Sequence, residues 1–285
     1  MKRKLGNTGY EVFPIAYGGI VSMKDGQLPS DRYVAQAIEQ GVNYFDVAPA
    51  YGDAEEKLGN SLRPYRKQVY LACKTAKRIK KDAELEMQNS MKTLYTDYFD
   101  IYQMHALSTM EELETAFAPG GVMELMVKMK EQGYARKLGI TCHSEEVALK
   151  AIALYPFDTV LFPFNWHMHM AHGMGGRLMQ VAKERGMGVL AMKQLVERSW
   201  LEGESRDEFP KSWCKPISAT DPALRIAAMK YALEMGADIL VPPGNFECFF
   251  FEVAHIEECL REPLADAERH LLQDRLEIVK EYPFF

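Results

Sequence analysis

The sequence predicts an α/β fold, a (β/α)8 TIM barrel with an N-terminal β-hairpin and an extra C-terminal helix. Short apolar runs alternate with longer stretches of helical periodicity. The runs are apolar throughout, as in parallel strands that are buried on both faces. Eight such strand–helix units lie between Pro14 and Leu260, each close to the ~30 residues of one βαβ step. Because eight units close a barrel, we expect residues 1–285 to form a single barrel domain.

The predicted elements follow one another without a linker or a low-complexity tract. The hairpin pairs Lys4-Leu5 with residues 11–13 across a turn at Asn7-Thr8-Gly9. Strands are expected at residues 14–19, 43–47, 69–74, 99–105, 137–141, 158–163, 188–192 and 238–241. Helices are expected at residues 31–40, 54–63, 82–94, 122–132, 145–154, 176–185, 223–235 and 249–260, with the C-terminal helix at 263–282. Several helices are followed by glycine, the residue that most readily adopts a left-handed helix stop.

An open, doubly wound sheet is the alternative that the same alternation of strands and helices allows. That fold carries a Gly-x-Gly-x-x-Gly turn after its first strand. The sequence has no such turn after residues 14–19, so the closed barrel is favoured.

The composition excludes several classes of protein. The chain has 34 Lys+Arg and 40 Asp+Glu, a net charge of −6, which provides no basic field for a general nucleic-acid partner. Hydrophobic residues make up 47% of the chain, enough for a buried core, and no apolar run reaches the ~18–20 residues of a membrane span. Five scattered cysteines without a Cys-x-x-Cys pair favour a reducing compartment. No apolar stretch follows the basic N-terminus, so we expect a cytoplasmic location.

The ends of three consecutive predicted strands carry the side chains that stand out for chemistry. In a barrel of this kind the active site lies at the carboxyl ends of the strands. The second strand ends near Asp46 and leads to Tyr51. The third ends at Lys74 and the fourth at His105. Each residue has a structural explanation when it is taken alone, but their meeting at one barrel mouth predicts a catalytic site.

The four side chains form a coherent acid–base set. A lysine ammonium beside a phenol stabilises the phenolate and lowers the pKa of the tyrosine from ~10, and a carboxylate keeps that lysine charged. A neutral imidazole can donate a hydrogen bond to a substrate oxygen. Such a tyrosine can give its proton to a carbonyl that is becoming an alkoxide. Since no side chain supplies a hydride, a cofactor is implied.

The same segments resemble those of the aldo-keto reductase family. Residues 45–52 look like the family's segment with the catalytic Asp and Tyr, residues 71–74 like its lysine strand and residues 98–105 like its histidine strand. The resemblance extends over about residues 4 to 260. It implies that NAD(P)(H) binds across the barrel mouth and that Tyr51 is the general acid. Lys74 and Asp46 would then tune the pKa of Tyr51, and His105 would orient the carbonyl.

The resemblance also implies where the cofactor binds, although these segments match the family less well. Thr141 and Cys142 stand where the family holds the nicotinamide carboxamide with a Ser-Asn pair, and Met192 stands where many relatives have a tyrosine. Residues 241–245 (Val-Pro-Pro-Gly-Asn) are similar to the turn that meets the cofactor phosphates. The residues expected to bind the cofactor are Gly19, Thr141, Cys142, Met192, Lys193, Gly244, Asn245 and Glu252.

The segment after the phosphate turn bears on the choice between NAD(H) and NADP(H). Residues 242–254 contain no Lys or Arg but contain Glu247 and Glu252. A carboxylate favours a ribose diol and repels a 2′-phosphate. We therefore expect NAD(H) to be tolerated or preferred.

A histidine-rich segment with His167, His169 and His172 raises a metal-dependent hydrolase as an alternative. Barrel hydrolases of that kind place a histidine pair on the first strand, and residues 15–19 offer no ligand there. We therefore predict no metal and interpret the segment as a loop in the substrate wall.

Two classes of function are carried forward. The first is an oxidoreductase that interconverts a small-molecule carbonyl and its alcohol, which the complete acid–base set favours. The second is a cofactor-binding regulatory or interaction module of the same fold with little turnover. Specificity in this fold lies in the loops, here residues 22–29, 166–175 and 197–219, of which the last is expected to be a solvated lid. Their composition specifies neither the substrate nor the oligomeric state.

Overall fold

The computed structural model describes residues 1–284 and consists of a hairpin, a barrel and an outer layer of helices. Strands β1 (Arg3–Lys4) and β2 (Glu11–Val12) form the expected antiparallel hairpin. The later strands are β3 (Tyr17–Gly18), β4 (Tyr44–Asp46), β5 (Tyr70–Thr75), β6 (Phe99–Leu107), β7 (Ala135–Cys142), β8 (Thr159–Phe162), β9 (Gly188–Met192), β10 (Val196–Arg198), β11 (Lys215–Pro216) and β12 (Ile239–Val241). Strands β10 and β11 pair with each other, and the remaining eight form one parallel sheet.

The eight-stranded sheet curves into a barrel because its last strand meets the segment before its first. The strand order is β3-β4-β5-β6-β7-β8-β9-β12. The amide of Ala16 donates to the carbonyl of Leu240 at 2.9 Å, and the amide of Leu240 donates to the carbonyl of Pro14 at 2.8 Å. These bonds join the two edges, so the predicted (β/α)8 barrel is confirmed over an open sheet.

The hairpin covers the amino-terminal end of the barrel. Leu5 and Val12 pack against interior residues from several strands, among them Tyr44, Ile101 and Leu190. A parallel barrel of eight strands is filled by such layers of side chains and leaves no channel. With one end closed by the hairpin, the carboxyl ends of the strands are the open face.

Helices surround the barrel, and several begin and end at residues suited to those positions. Ser144 and Asp221 accept hydrogen bonds from backbone amides at two helix starts, and Gly133 ends another helix at φ 81°. The helices are α1 (Gln27–Glu39), α2 (Ala54–Leu62), α3 (Lys80–Thr93), α4 (Met110–Phe117), α5 (Val122–Gln132), α6 (Glu145–Leu154), α7 (Trp166–His172), α8 (Gly176–Glu184), α9 (Pro222–Met235), α10 (Phe246–Arg261) and α11 (Asp266–Val279). Among residues 1–284 no helix is long and apolar enough to cross a membrane.

The structure differs from the sequence prediction in short elements. Helix α4 follows β6 and begins with a capping box formed by Thr109 and Glu112, a signal that the apolar pattern did not reveal. The histidine-rich segment, expected to be a loop, is the seven-residue helix α7. Residues 197–219, expected to be a solvated lid, contain the β10–β11 pair. Elements of two to eight residues are too short for hydrophobic periodicity to mark them.

Candidate active site

Strand alternation brings the predicted catalytic side chains together inside the barrel. Tyr44 on β4 and Ala72 on β5 belong to the interior cluster. Because strand side chains alternate between faces, Asp46 and Lys74, two residues further along, also point inward. The same alternation on β6 directs His105 to the interior.

A buried ion pair forms the base of the site. The Lys74 ammonium donates a short hydrogen bond to Asp46 Oδ1 and a second one to the Val47 carbonyl at 3.3 Å. The other carboxylate oxygen, Asp46 Oδ2, accepts from Gln103 Nε2 at 2.9 Å. Burial lowers the pKa of Lys74, but the Asp46 carboxylate and the Tyr51 phenol outweigh it and the net pKa is raised. The lysine therefore carries its positive charge inside the barrel.

Tyr51 lies over this ion pair, in the loop after β4. Its ring centroid is 4.9 Å from Lys74 Nζ, and its exposed fraction is 9%. Burial raises the pKa of Tyr51, and the nearby Lys74 ammonium opposes that rise without cancelling it. The expectation that Lys74 brings the tyrosine pKa below its ordinary value is therefore corrected. The phenol keeps its proton, which is the form a proton donor requires.

His105 lies at the edge of Tyr51. The two ring centroids are 5.5 Å apart with the planes at 88°. Burial, aided by the charges of Lys74, His143 and Arg78, lowers the pKa of His105 to about 3. The imidazole is therefore neutral near pH 7, as the sequence predicted, and can donate a hydrogen bond to a carbonyl oxygen.

A cavity of about 90 Å³ opens beside Tyr51. Its lining combines two groups of predicted residues, the catalytic residues Asp46 and Tyr51 and residues of the cofactor segments. The segment before β11 also contributes. The lining residues that matter here are Asp46, Tyr51, Met192, Lys193, Trp213 and Gly244.

Trp213 was not singled out as a site residue from the sequence. Its ring centroid is 6.0 Å from that of Tyr51, and its exposed fraction is 60%. Two contacts fix its neighbour Ser212: the Asn245 amide donates to Ser212 Oγ at 2.9 Å, and the Trp200 indole donates to the Ser212 carbonyl at 2.9 Å. The segment between β10 and β11 therefore folds onto the barrel mouth and forms one wall of the cavity.

The predicted cofactor residues Met192, at the end of β9, and Lys193, directly after it, both line the cavity. Lys193 has a left-handed backbone, φ 63°, which is held because Asn165 Nδ2 donates to the Lys193 carbonyl at 2.7 Å and to the Val196 carbonyl at 2.8 Å. Burial lowers the pKa of Lys193 to about 8. Such strain in a buried, supported residue is typical of functional sites.

The two glycines occupy places where a side chain does not fit. A Cβ on Gly244 would lie 2.2 Å from Ile20 Cγ2, and a Cβ on Gly19 would lie 2.8 Å from Val47 Cγ2. Gly244 lines the cavity, and the following residue, Asn245, is the N-cap of α10. Backbone amides at a helix start suit an anion, as a cofactor phosphate would be.

Three of the predicted cofactor side chains are buried within the chain. Cys142 is fully buried among residues between the barrel and the helices, so its thiol does not face the mouth. Thr141 Oγ1 accepts a hydrogen bond from the Ala106 amide at 2.6 Å. The expectation for Glu252 is corrected, because its carboxyl is fully buried and accepts from Gln194 Nε2 at 2.6 and 2.7 Å. It has no exposed surface with which to meet a ribose.

The other glutamate of residues 242–254, Glu247, forms an ion pair with a residue outside that segment. Arg225 on α9 is fully buried and donates to both carboxylate oxygens of Glu247, one contact being 3.2 Å long. The Glu247 side chain is 51% exposed. The start of α10 therefore carries a paired cation and anion, whereas the sequence had suggested a lone negative charge.

The histidines of α7 are engaged in structural contacts. His167 Nδ1 is 2.7 Å from the Glu197 carbonyl, and His169 Nδ1 is 2.7 Å from the Tyr231 hydroxyl. Across residues 1–284 no group of three or more His, Cys, Asp or Glu side chains is arranged to hold a metal ion.

Comparison with known proteins identifies the family. The model of the aldo/keto reductase family matches residues 27–238, and the chain belongs to that family. It is 29% identical over 224 residues to the aldo-keto reductase YhdN of Bacillus subtilis, covering 72% of this chain and 65% of that protein. It is 24% identical over 255 residues to L-galactose dehydrogenase of Arabidopsis thaliana, covering 83% of this chain and 76% of the plant protein.

A solved structure supports the fold. The holo form of an aldo-keto reductase from Bacillus halodurans superposes with a TM-score of 0.71 at 20% identity, covering 96% of this chain and 95% of the other. The family match covers most of this chain, whereas the chain spans 65% of the length of YhdN.

Proposed function

We propose that this chain is an NAD(P)(H)-dependent oxidoreductase that interconverts an aldehyde or ketone and its alcohol, with Tyr51 as general acid and base. The observation that carries the proposal is the buried Asp46–Lys74 pair directly beneath Tyr51. The bound nicotinamide supplies or accepts the hydride. The chain's own residues then have to orient the carbonyl, exclude water and move one proton.

The proton comes from Tyr51 in the direction of reduction. Burial keeps the phenol protonated, and the Lys74 ammonium beneath it stabilises the phenolate that forms as the proton leaves. Asp46 holds Lys74 in place, and Gln103 holds Asp46. Neutral His105, at the edge of Tyr51, orients the carbonyl oxygen by a hydrogen bond.

The residues around the cavity suit a nicotinamide dinucleotide in their chemistry. Met192 offers an apolar surface to a flat ring, Lys193 offers a cation, and the start of α10 at Gly244 and Asn245 offers backbone amides to a phosphate. The 90 Å³ cavity is far below the ~300 Å³ or more of ordinary small-molecule sites.

The choice between NAD(H) and NADP(H) depends on Glu247 rather than Glu252, since only Glu247 is exposed. Its carboxylate neutralises Arg225 and opposes a 2′-phosphate. We therefore keep NAD(H) as the tolerated or preferred cofactor. The substrate is a small carbonyl or alcohol that fits between Tyr51 and Trp213, and sugars lead the panel to be screened because a relative is named for L-galactose.

The proposal is tested by replacing Tyr51 with phenylalanine. In Tyr51→Phe we expect kcat to fall by about 10²–10⁴, the usual contribution of a positioned acid. The cofactor Kd, measured by protein fluorescence, should change less than about threefold. Tyr134→Phe is the matched control, because Tyr134 is exposed and lies outside the barrel mouth, and it should keep parental turnover.

Two results would contradict the proposal. Parental kcat in Tyr51→Phe would remove Tyr51 from the reaction. Tight cofactor binding by the parent protein, with no change in NAD(P)H absorbance across a broad panel of carbonyls and alcohols, would favour the cofactor-binding module instead.

A further inference from the structure

We propose that Arg78 and Thr141 are positioning residues that hold His105 over Tyr51 by fixing a bulge in strand β6. The proposal rests on the proposed function, in which His105 orients the carbonyl. Neither residue touches the reacting atoms, and both act through the backbone of His105 and Ala106.

The bulge is visible in the pairing of β6 with β7. Met104 pairs with Ile140, and the next pair is Leu107 with Cys142. His105 and Ala106 therefore stand opposite the single residue Thr141. One extra residue in a strand bends it and re-aims a side chain, an arrangement that recurs beside active sites.

The bulge strains the backbone at Ala106. Its φ is 49°, in the left-handed region that residues other than glycine rarely adopt. Such a conformation persists only where its surroundings enforce it. The contacts that hold this φ value therefore involve the peptide groups next to Ala106.

Two side chains supply those contacts, one from β7 and one from the loop after β5. From β7, Thr141 Oγ1 accepts from the Ala106 amide at 2.6 Å. From the loop after β5, Arg78 Nη2 donates to the His105 carbonyl at 2.7 Å. The peptide group that joins His105 to Ala106 is thus bonded at both its carbonyl and its amide.

Arg78 is itself held firmly enough to serve as an anchor. Its side chain is 10% exposed, and its carbonyl accepts from the Val122 amide at 2.8 Å. The adjacent Ile79 forms a bridge with Gly121. Arg78 Nη2 also lies 3.4 Å from Glu112 Oε1, and Glu112 Oε2 in turn accepts from the Ser108 amide at 2.8 Å at the start of α4.

The guanidinium has two further effects that favour a positioning role. Arg78 Nε and Nη1 are buried without a hydrogen-bond partner within residues 1–284, an arrangement that opposes folding. Burial is the chief cause of the low pKa of His105, about 3, and the positive charges of Lys74 and, more weakly, Arg78 lower it further. Loss of Arg78 should therefore both loosen the ring and raise its pKa.

The first experiment replaces Arg78 and compares turnover across pH. For Arg78→Met we expect kcat to fall about 10- to 100-fold while the cofactor Kd stays within about threefold, and we expect the acid limb of the kcat profile to move to higher pH. Arg78→Lys keeps the charge but loses the fork geometry, so its kcat should fall while the acid limb stays in place. Arg63→Met removes an exposed arginine that lies over Tyr95, before the start of β6, and is the matched control for loss of one charge.

The second contact is tested at Thr141. Thr141→Val removes the hydroxyl at nearly constant volume and should reduce kcat in the same way. Thr141→Ser keeps the hydroxyl and should recover most of the kcat that Thr141→Val loses. Nitrogen-15 NMR of the His105 ring gives a readout that does not depend on turnover, and its signal should shift or broaden in Arg78→Met and Thr141→Val.

A double-mutant cycle separates this proposal from the proposed function. If Arg78 acts through His105, Arg78→Met should lower kcat by less than about twofold when it is introduced into the His105→Ala variant. Equal losses in both backgrounds would overturn the proposal, as would an unchanged His105 signal in Arg78→Met. If His105→Ala is impaired while Arg78→Met keeps parental kcat and pH profile, only the positioning role fails. If His105→Ala itself keeps parental kcat, the role of His105 in the proposed function fails as well.

Discussion

The barrel mouth has two halves that are built in different ways. The acid–base half consists of Asp46, Lys74, His105 and Tyr51, of which the first three lie on consecutive strands. The second half, which we propose to bind the cofactor phosphates and call the phosphate half, consists of Lys193, the segment between β10 and β11, and the start of α10. Strand alternation fixes Asp46, Lys74 and His105, whereas Tyr51 and the side chains of the phosphate half depend on loops and on helix rotation.

The contrast separates chemistry from selectivity. In the acid–base half the charged side chains are buried and paired within the barrel, as Lys74 is with Asp46. We therefore expect a change of substrate to have little effect on them. In the phosphate half the charges lie at a rim, where Glu247 is half exposed over the buried Arg225. We expect changes in the first half to affect turnover and changes in the second half to affect which anion binds.

The largest effect is expected from breaking the buried ion pair. Lys74→Met leaves the Asp46 carboxylate buried without its partner, which typically costs about 3–5 kcal/mol of stability. It also removes the cation beneath Tyr51, so kcat should fall by about 10²–10⁴. Urea unfolding and steady-state kinetics measure the two effects on the same preparation.

A double variant separates structure from chemistry at this pair. Asp46→Asn combined with Lys74→Met removes both charges and should regain most of the lost stability, because no buried charge is left alone. Turnover should stay low, since the phenolate still lacks its cation. If the double variant recovers turnover together with stability, the pair serves only the fold.

The same contrast explains which parts of the site could be predicted from the sequence. Barrel strands are short apolar runs whose side chains alternate between two faces, so Asp46, Lys74 and His105 could be assigned to one mouth from their positions alone. The bulge that aims His105 was not predictable, because it depends on Thr141 from β7 and on Arg78 from the loop after β5. The pKa of Tyr51 was misjudged because burial depth, which outweighs the Lys74 charge, is not visible in a sequence.

The phosphate half was less predictable for related reasons. Residues 242–254 contain no Lys or Arg, yet Arg225 reaches that segment from α9. Glu252 and Glu247 are five positions apart on one helix, and only the rotation of α10 decides that one is buried and the other exposed. Such relations are set by packing between helices rather than by any local pattern.

A tenfold effect on cofactor selectivity is expected at Glu247. Glu247→Gln removes the carboxylate that neutralises Arg225, so the start of α10 becomes more attractive to a 2′-phosphate. Arg225 stays fully buried, so the gain comes from the loss of a repelling charge and not from a new contact. A unit charge roughly 10 Å away contributes on the order of 1–2 kcal/mol, and about 1.4 kcal/mol corresponds to tenfold. We expect NADP(H) to bind about tenfold more tightly relative to NAD(H), as measured by isothermal titration calorimetry.

The control for this change lies on the same helix. Glu257→Gln alters the net charge equally at an exposed site on α10 and should leave the ratio of the two affinities within about twofold. An equal ratio in Glu247→Gln and the parent protein would show that the Arg225–Glu247 pair does not take part in the choice.

The smallest effect is expected from the titration of Lys193. Burial lowers its pKa to about 8, so the ammonium is present below pH 8 and is lost as the pH rises through that value. If this charge attracts a cofactor phosphate, the cofactor Kd should rise about fivefold between pH 7 and pH 9, measured by quenching of tryptophan fluorescence. In Lys193→Met the Kd at pH 7 should resemble that of the parent at pH 9 and should not change with pH. A parent Kd that is independent of pH over this range would place the anion away from Lys193 and leave the start of α10 as its binding site.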